Sequence, residues 1–410
     1  MLPRILYKSR RFSALCILLL AFNAGAQESL SPAQAVELAW HRASMNQQRD
    51  ASLAAAQADV LTARLRPNPI LTVARDSVIG ADNVAGNEST VMVSQMFELG
   101  GRRDARIRAA SAGIPVADAA ASVERAELRA EVLRHYAGAA AAEGHYASLD
   151  TIINGLNSLT NVASKRFRGG DLSGYESRRI ALALSQADSA RRAAATDALN
   201  ARTRLSAFIG DTAMTARFQG DFTNATGATR NVHPGAMTPE TALLAARRDH
   251  AEALANAAAT RSVPVTVGLG AKHVRQGQLS DNLLLMEVGV PLPIFDRNQG
   301  ERARTAAQVQ LLDSQLKRRM QFDDAQKQSA SEQAKRYLNS ATELESRDAP
   351  EAARLTAIAR NSFAEGEMDL TGLLDAYRNQ MDILERAFEL RQKAIDAALE
   401  LERLKPISVE

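Results

Sequence analysis

The sequence predicts a mainly α-helical, elongated fold with a small β part, and three observations point to it. Ordered landmarks recur roughly 196 residues apart, each copy carries a long helical tract and its return, and four short segments alternate apolar with polar residues. The first copy reads Arg66-Pro-Asn-Pro69-Ile-Leu-Thr-Val, then Phe97-Glu-Leu-Gly-Gly101-Arg-Arg103, then Arg166-Phe167-Arg-Gly-Gly170-Asp171-Leu-Ser173. The second reads Arg261-Ser-Val-Pro264-Val-Thr-Val, then Pro291-Leu-Pro-Ile-Phe-Asp-Arg297-Asn-Gln-Gly300, then Phe363-Ala-Glu-Gly366-Glu367-Met-Asp369. A repeated order of strand, strand, very long helix, tight turn and returning helix suits the wall of a tube better than an enzyme cleft.

Composition agrees with long helices. The apolar share is 46% but aromatics are only 4%, and much of the apolar content is alanine. Small side chains favour close helix packing over a thick aromatic core. Residues 1–26 read as a signal peptide: Arg4, Lys8, Arg10 and Arg11, then the apolar run Phe12 to Phe22, then Ala24-Gly-Ala26. That run is about 11 residues, too short for a bilayer, which takes about 20. Losing four basic residues turns the formal +3 slightly negative, so the basic balance is no argument for nucleic-acid binding. The single cysteine, Cys16, leaves with the leader. It lacks the small preceding residues of a lipidation site, so no lipid anchor, disulfide or thiolate ligand is expected.

The mature chain divides into a first structural repeat, 27–230, and a second, 231–410. Ser31-Pro-Ala-Gln34 and Thr238-Pro-Glu-Thr241 open the two with a hydroxyl N-cap followed by proline. Strand segments follow at Ile70 to Ser77, Val91 to Phe97, Val265 to Ala271 and Leu284 to Val290. Their alternation fits a membrane β-barrel, with lipid outside and water inside, though alternation by itself favours a half-buried strand of a soluble sheet. Turn-forming loops are expected at Gly80 to Asn87 and Arg275 to Asp281. Four strands cannot close a barrel, whose smallest common form has about eight; three chains would supply twelve.

Long helical tracts run from Gly101 to Arg166 and from Gly300 to Phe363, each roughly 100 Å if straight, with interruptions expected at Gly113-Ile-Pro115, Gly138, Gly144 and Pro350. Returning helices run from about Ser173 to Ile209 and from Leu370 to Leu404. Coiled-coil spacing marks Val309, Leu312 and Leu316, then Met381, Leu384, Phe388, Ile395 and Leu399. Gly210 to Met237 reads as a polar linker between the halves.

With these pieces in this order, the chain resembles the TolC-like outer-membrane factors (outer membrane efflux proteins) over essentially its whole mature length. Residues 97–103 and 290–300 are most similar to the CzcC-type heavy-metal efflux branch. The resemblance implies long antiparallel α-hairpins forming a periplasmic α-barrel. It also implies a four-strand contribution to a trimeric, 12-stranded outer-membrane β-barrel. It implies a homotrimer, a periplasmic adaptor protein and an inner-membrane resistance–nodulation–division pump, with no enzymatic activity and heavy-metal cations as cargo. Export of drugs or small organic molecules and type I protein secretion are the alternatives, and a periplasmic adaptor is a more distant one.

By the same resemblance the helix turns would be adaptor-docking tips: Arg166, Phe167, Gly170, Asp171 and Ser173 in the first, and Phe363, Gly366, Glu367 and Asp369 in the second. The pore constriction would fall at Asp375, where some relatives carry two acids three apart; the other position is Gly372 here. Asp375 could equally pair with Arg378. No cofactor and no metal site is expected: the histidines 41, 135, 145, 233, 250 and 273 show no HxH, HxxxH or HExxH spacing. Walker and Gly-x-Ser-x-Gly motifs are missing, and Asp323-Asp324 reads as exposed helix charge.

Overall fold

A computed structural model describes residues 29–78, 86–219, 237–261, 263–276 and 278–405. The expected leader, with Cys16, lies outside the described residues, as do His233 and most of the expected linker. The element order is β1 (Ser29–Leu30), α1 (Pro32–Arg42), α2 (Met45–Arg64), β2 (Ile70–Val78), β3 (Gly86–Glu98), α3 (Arg102–Ser111), α4 (Gly113–Gly169), α5 (Gly174–Ile209), α6 (Thr212–Thr215) and β4 (Arg217–Phe218). It continues with α7 (Pro239–Ala259), β5 (Pro264–Gln276), β6 (Leu279–Gly289), α8 (Gln299–Glu343), a π-helical turn (Leu344–Asp348), α9 (Ala349–Glu365) and α10 (Leu370–Arg403).

The helices start and bend where backbone chemistry dictates. Ser31 caps α1 in a reciprocal capping box with Gln34, and Thr238 caps α7 by accepting the Thr241 N–H at 3.1 Å. The first long tract is broken at Ala112, just before Gly113-Ile-Pro115, but α4 runs through Gly138 and Gly144 without interruption. An isolated glycine costs a helix only about 1 kcal/mol, which tertiary packing overrides. Proline is different, because it lacks an N–H and crowds the preceding turn. Pro350 accordingly sits just after the π-helical turn that absorbs the mismatch. At 57 residues, α4 is about 85 Å long.

Two apolar clusters hold the helices together. One joins α1, α4, α5, α8 and α10 around Tyr136, Leu205, Leu399 and Leu401, with Ala35, Ala137, Ala330 and Ala398 allowing close approach. Within it the buried Tyr136 hydroxyl donates to the Leu30 carbonyl at 2.6 Å and accepts the Gln219 N–H at 3.0 Å, fastening parallel strands β1 and β4 to α4. Residues 210–219 are therefore core-forming, with Ala213 and Ala216 buried, where a polar linker was expected. Asp323 also departs from its expected exposure: it is 2% accessible. Its carboxylate accepts from Thr238 at 2.6 Å, Thr241 at 2.5 Å and the Arg319 Nε at 2.6 Å, binding the start of α7 to the middle of α8. Burying a charge is tolerated here because two hydroxyls and a guanidinium replace its water.

The four longer strands form one antiparallel sheet in the order β2-β3-β5-β6. They exceed the expected segments because ladder pairing recruits polar flanks: Gly86 pairs with Gln276 and Arg275 with Ser280. Of the expected turn Gly80 to Asn87, residues 80–85 lie outside the described residues and Gly86 and Asn87 belong to β3; of the expected turn Arg275 to Asp281, Arg275 and Gln276 end β5 and Leu279 to Asp281 open β6. Cross-strand register aligns Leu71, Val93, Leu269 and Met286 in one row, and Val73, Val91, Ala271 and Leu284 in the next. The opposite face carries Thr72, Thr90, Ser94, Gly268, Gly270, Lys272 and Glu287, with Leu283 and Leu285 among them.

Gly270 has a specific duty on that face. A Cβ there would stand 2.5 Å from the Val91 carbonyl oxygen and 2.8 Å from the Met92 Cα, so strands β3 and β5 approach as closely as only glycine permits. The substitution Gly270→Ala is expected to prevent correct sheet formation, whereas Gly300→Ala, where a Cβ meets nothing within 4 Å, is tolerated. Heat-modifiable gel mobility and circular dichroism of the two purified variants check this pair.

Candidate functional site

The helix pairs α4–α5 and α9–α10 end in similar tips. Each long helix terminates at a glycine in the left-handed region, Gly170 and Gly366, both at φ 85°. The geometry is the Schellman arrangement, which satisfies carbonyls that a helix end leaves open. Asp171 N–H bonds the Arg166 carbonyl at 2.9 Å and Gly170 N–H the Phe167 carbonyl at 3.2 Å. Glu367 N–H bonds the Ser362 carbonyl at 2.8 Å and Gly366 N–H the Phe363 carbonyl at 3.2 Å. The returning helices are capped by Ser173, in a capping box with Glu176, and by Asp369, which accepts the Gly372 N–H at 2.9 Å.

The tips touch one another. Arg166 Nη1 donates to the Phe363 carbonyl at 2.6 Å, and its guanidinium lies 4.8 Å over the Phe363 ring. Arg179 reaches the Thr371 hydroxyl at 3.2 Å. Behind them a second apolar cluster buries Leu156, Leu159, Leu172, Ile180, Phe363, Leu370 and Leu373. Tyr377 closes it, its ring packed on Gly155, and burial pushes the Tyr377 phenol up. The landmark phenylalanines thus part company: Phe363 is 1% exposed and Phe167 49%. Of the tip residues named from sequence, Phe167, Gly170, Asp171, Ser173, Gly366, Glu367 and Asp369 are exposed, while Arg166 and Phe363 are engaged in tip-to-tip contact. Sequence reasoning missed this clamp and the Arg179–Thr371 bridge, since both span residues remote along the chain.

Asp375 lies on α10 shortly after the second tip, exposed, with Arg378 at 3.4 Å. Such an exposed pair is worth about 1 kcal/mol or less, so both groups stay available to other charges. Among the described residues no group of three or more His, Cys, Asp or Glu side chains is placed to hold a metal ion. His135 stacks on Phe208 and His145 on Phe388, both packing roles.

No helix of the described residues is long and apolar enough to cross a membrane. The sheet is the other candidate surface. Leu71, Val73, Val91, Val93, Leu269, Leu284, Met286 and Val288 are all exposed on one face, Met286 at 77%. Beyond the last ladder pair, exposed apolar residues continue through Leu292 and Ile294 to Phe295.

No family model matches the chain. Among curated proteins it is 27% identical to the cobalt-zinc-cadmium resistance protein CzcC of Cupriavidus metallidurans, over 84% of this chain and 82% of that one. It is 28% identical to the nickel-cobalt-cadmium resistance protein NccC of Alcaligenes xylosoxydans xylosoxydans, over 61% and 57%. Among solved structures it superposes on the outer membrane protein VceC of Vibrio cholerae with a TM-score of 0.70 at 14% identity, covering 90% of this chain and 94% of that one. The outer-membrane channel OprN gives 0.70 at 17% identity over 91% and 89%, and CusC gives 0.68 at 12% over 93% and 95%. The chain therefore has the fold of these outer-membrane channel proteins. Its likeness among curated sequences is to two metal-resistance proteins, CzcC and NccC.

The capping carboxylate at the first tip gives a pH-dependent expectation. The Ser173 backbone N–H, followed by its hydroxyl, holds the Glu176 carboxyl below its usual value of 4.5. A group whose folded pKa is depressed stabilises above its unfolded pKa, and the contribution is lost as pH falls through the folded value. The variant Glu176→Gln should therefore flatten the acid limb of a melting-temperature-against-pH curve below about pH 4.5 and match wild type in slope at neutral pH.

Proposed function

We propose that the chain is the outer-membrane exit duct of a tripartite exporter of the resistance–nodulation–division type, carrying heavy-metal cations out of a Gram-negative cell. The observation that carries this reading is the CzcC likeness, which runs along most of both chains and coincides with an outer-membrane-factor fold. The fold alone selects no cargo, since likeness to VceC and OprN is as strong as to CusC. Sequence kinship with two metal-resistance proteins favours cations over drugs.

In this reading three chains share one barrel. Their sheets join edge to edge with the apolar face toward lipid, each such side chain gaining about 1.5–3 kcal/mol on leaving water. The helices continue the tube through the periplasm, and the exposed parts of the tips, Phe167, Gly170, Asp171 and Ser173 with Gly366, Glu367 and Asp369, meet a periplasmic adaptor. Arg166 and Phe363 hold the two tips in register for that contact. Three copies of Asp375 near the axis would favour a passing cation by mutual repulsion of their carboxylates. Energy comes from the inner-membrane pump, and the duct itself performs no chemistry.

Deleting the gene should lower tolerance to zinc, cobalt or cadmium at least several-fold, measured as the minimal inhibitory concentration, and plasmid-borne wild type should restore it. Unchanged metal tolerance together with lost tolerance to organic drugs would overturn the cargo. In the same assay Gly366→Pro is expected to abolish complementation while still assembling, because it destroys the left-handed turn that presents the second tip. Asp375→Ala should assemble normally and change the cation dependence of single-channel conductance in planar bilayers.

A further inference from the structure

The end of the sheet nearest the helices has a composition that the duct reading does not require. The register brings the start of β2, the end of β3, the start of β5 and the end of β6 to that one end. In the segments joining it to α2, α7 and α8 stand Arg66, Arg261 and Arg297, with Arg102 opening α3 and Arg302 in the first turn of α8. All five are exposed, and none has an acidic partner at ion-pair distance among the described residues. Their neighbours are committed elsewhere: Arg103 donates to the Arg64 carbonyl, and Arg106 to the Ala63 and Leu65 carbonyls and to Glu98. Of the local acids Glu98 is paired with Arg106 and Glu301 with Arg304, which leaves Asp104 and Asp296, the latter accepting the Asn298 N–H, against the five guanidinium groups. A surplus of unpaired guanidinium groups therefore rings one end of the sheet.

Interleaved with those charges are apolar side chains that stand exposed among the described residues. Leu65 is 66% exposed, Leu99 55%, Leu292 74% and Phe295 90%. Val290, Leu292 and Ile294 prolong the alternation of Leu284, Met286 and Val288 past the last ladder pair. Pro291 and Pro293 fall between them and remove N–H donors, so this ribbon cannot be extended by another strand. An apolar ribbon that refuses β-pairing, set among unpaired cations, matches the boundary between acyl chains and anionic headgroups.

We propose that this end of the sheet is a headgroup collar for anionic phospholipid in the periplasm-facing leaflet. Arg66, Arg102, Arg261 and Arg297 bind the phosphodiesters, and Leu292 and Phe295 sit among the upper acyl carbons. Guanidinium suits the task because its planar donors take two phosphate oxygens at once. The collar fixes the depth at which the barrel stops and the periplasmic helices begin. It rests on the outer-membrane reading above.

The test is flotation of the full-length mature protein, purified in detergent and added to vesicles of phosphatidylcholine alone or with phosphatidylglycerol at seven parts to three. Wild type should insert into both, with about ten-fold stronger partitioning into the anionic vesicles at low salt, collapsing toward unity as salt shortens the Debye length. The variant R66Q/R102Q/R261Q/R297Q, checked for its oligomeric state in detergent, should insert with about two-fold preference or less. Phe295→Ser should weaken partitioning into both compositions alike. Equal partitioning of wild type, or a preference indifferent to salt, overturns the collar and needs no variant to show it. Failure of wild type to enter either vesicle would overturn the outer-membrane reading and the collar with it.

Discussion

An open four-stranded sheet whose apolar face is left uncovered by the described residues is the constraint on which the rest depends. β2 and β6 are edge strands of 9 and 11 residues, and each leaves a row of unpaired backbone groups. A single chain in water would expose those groups together with rows of Leu, Val and Met, a surface that invites uncontrolled strand addition. Among the described residues the helices leave that face exposed, and their buried apolar side chains pack into two clusters of their own. Closure by further copies of the chain, with lipid against the apolar face, removes both liabilities together. The prolines after β6 and the close glycine contact at Gly270 then mark where pairing ends and where the strands crowd.

The helical part solves a different problem, how to keep a thin structure about 85 Å long from buckling. It does so with alanine at close approaches and a few satisfied polar fasteners at fixed heights. Tyr136 ties the two short strands to α4, and Asp323 ties the start of α7 to α8. At the far end Arg166 ties one tip to the other. Each fastener joins segments remote in sequence. The two tips are thereby presented as one surface, with Arg166 of the first tip held against Phe363 of the second.

What was legible in the sequence follows from the range of the forces involved. Helix starts at Ser31 and Thr238, the turns at Gly170 and Gly366, and the break before Pro115 are local, set by capping chemistry and by the need for positive φ. Long-range burial was not legible. Asp323 sits beside Asp324 in a polar helix, and only the arrival of Thr238, 85 residues away, makes it a core group. The Arg166–Phe363 contact spans 197 positions. Gly86 and Asn87 look like loop residues, and they are strand because β5 opposite them supplies the ladder. The grouping of the exposed arginines was not legible for the opposite reason: singly each is an ordinary surface residue, and only the sheet register gathers them.

The claim at the centre of this account is that the sheet closes only when three chains share it. Native mass spectrometry of the mature protein, released from detergent micelles under gentle activation, measures that directly. A predominant species of three chains, breaking into single chains only with loss of sheet signal, is the expected result. A stable folded monomer that retains its strands would contradict the account, because its apolar face and both edges would then need no partner.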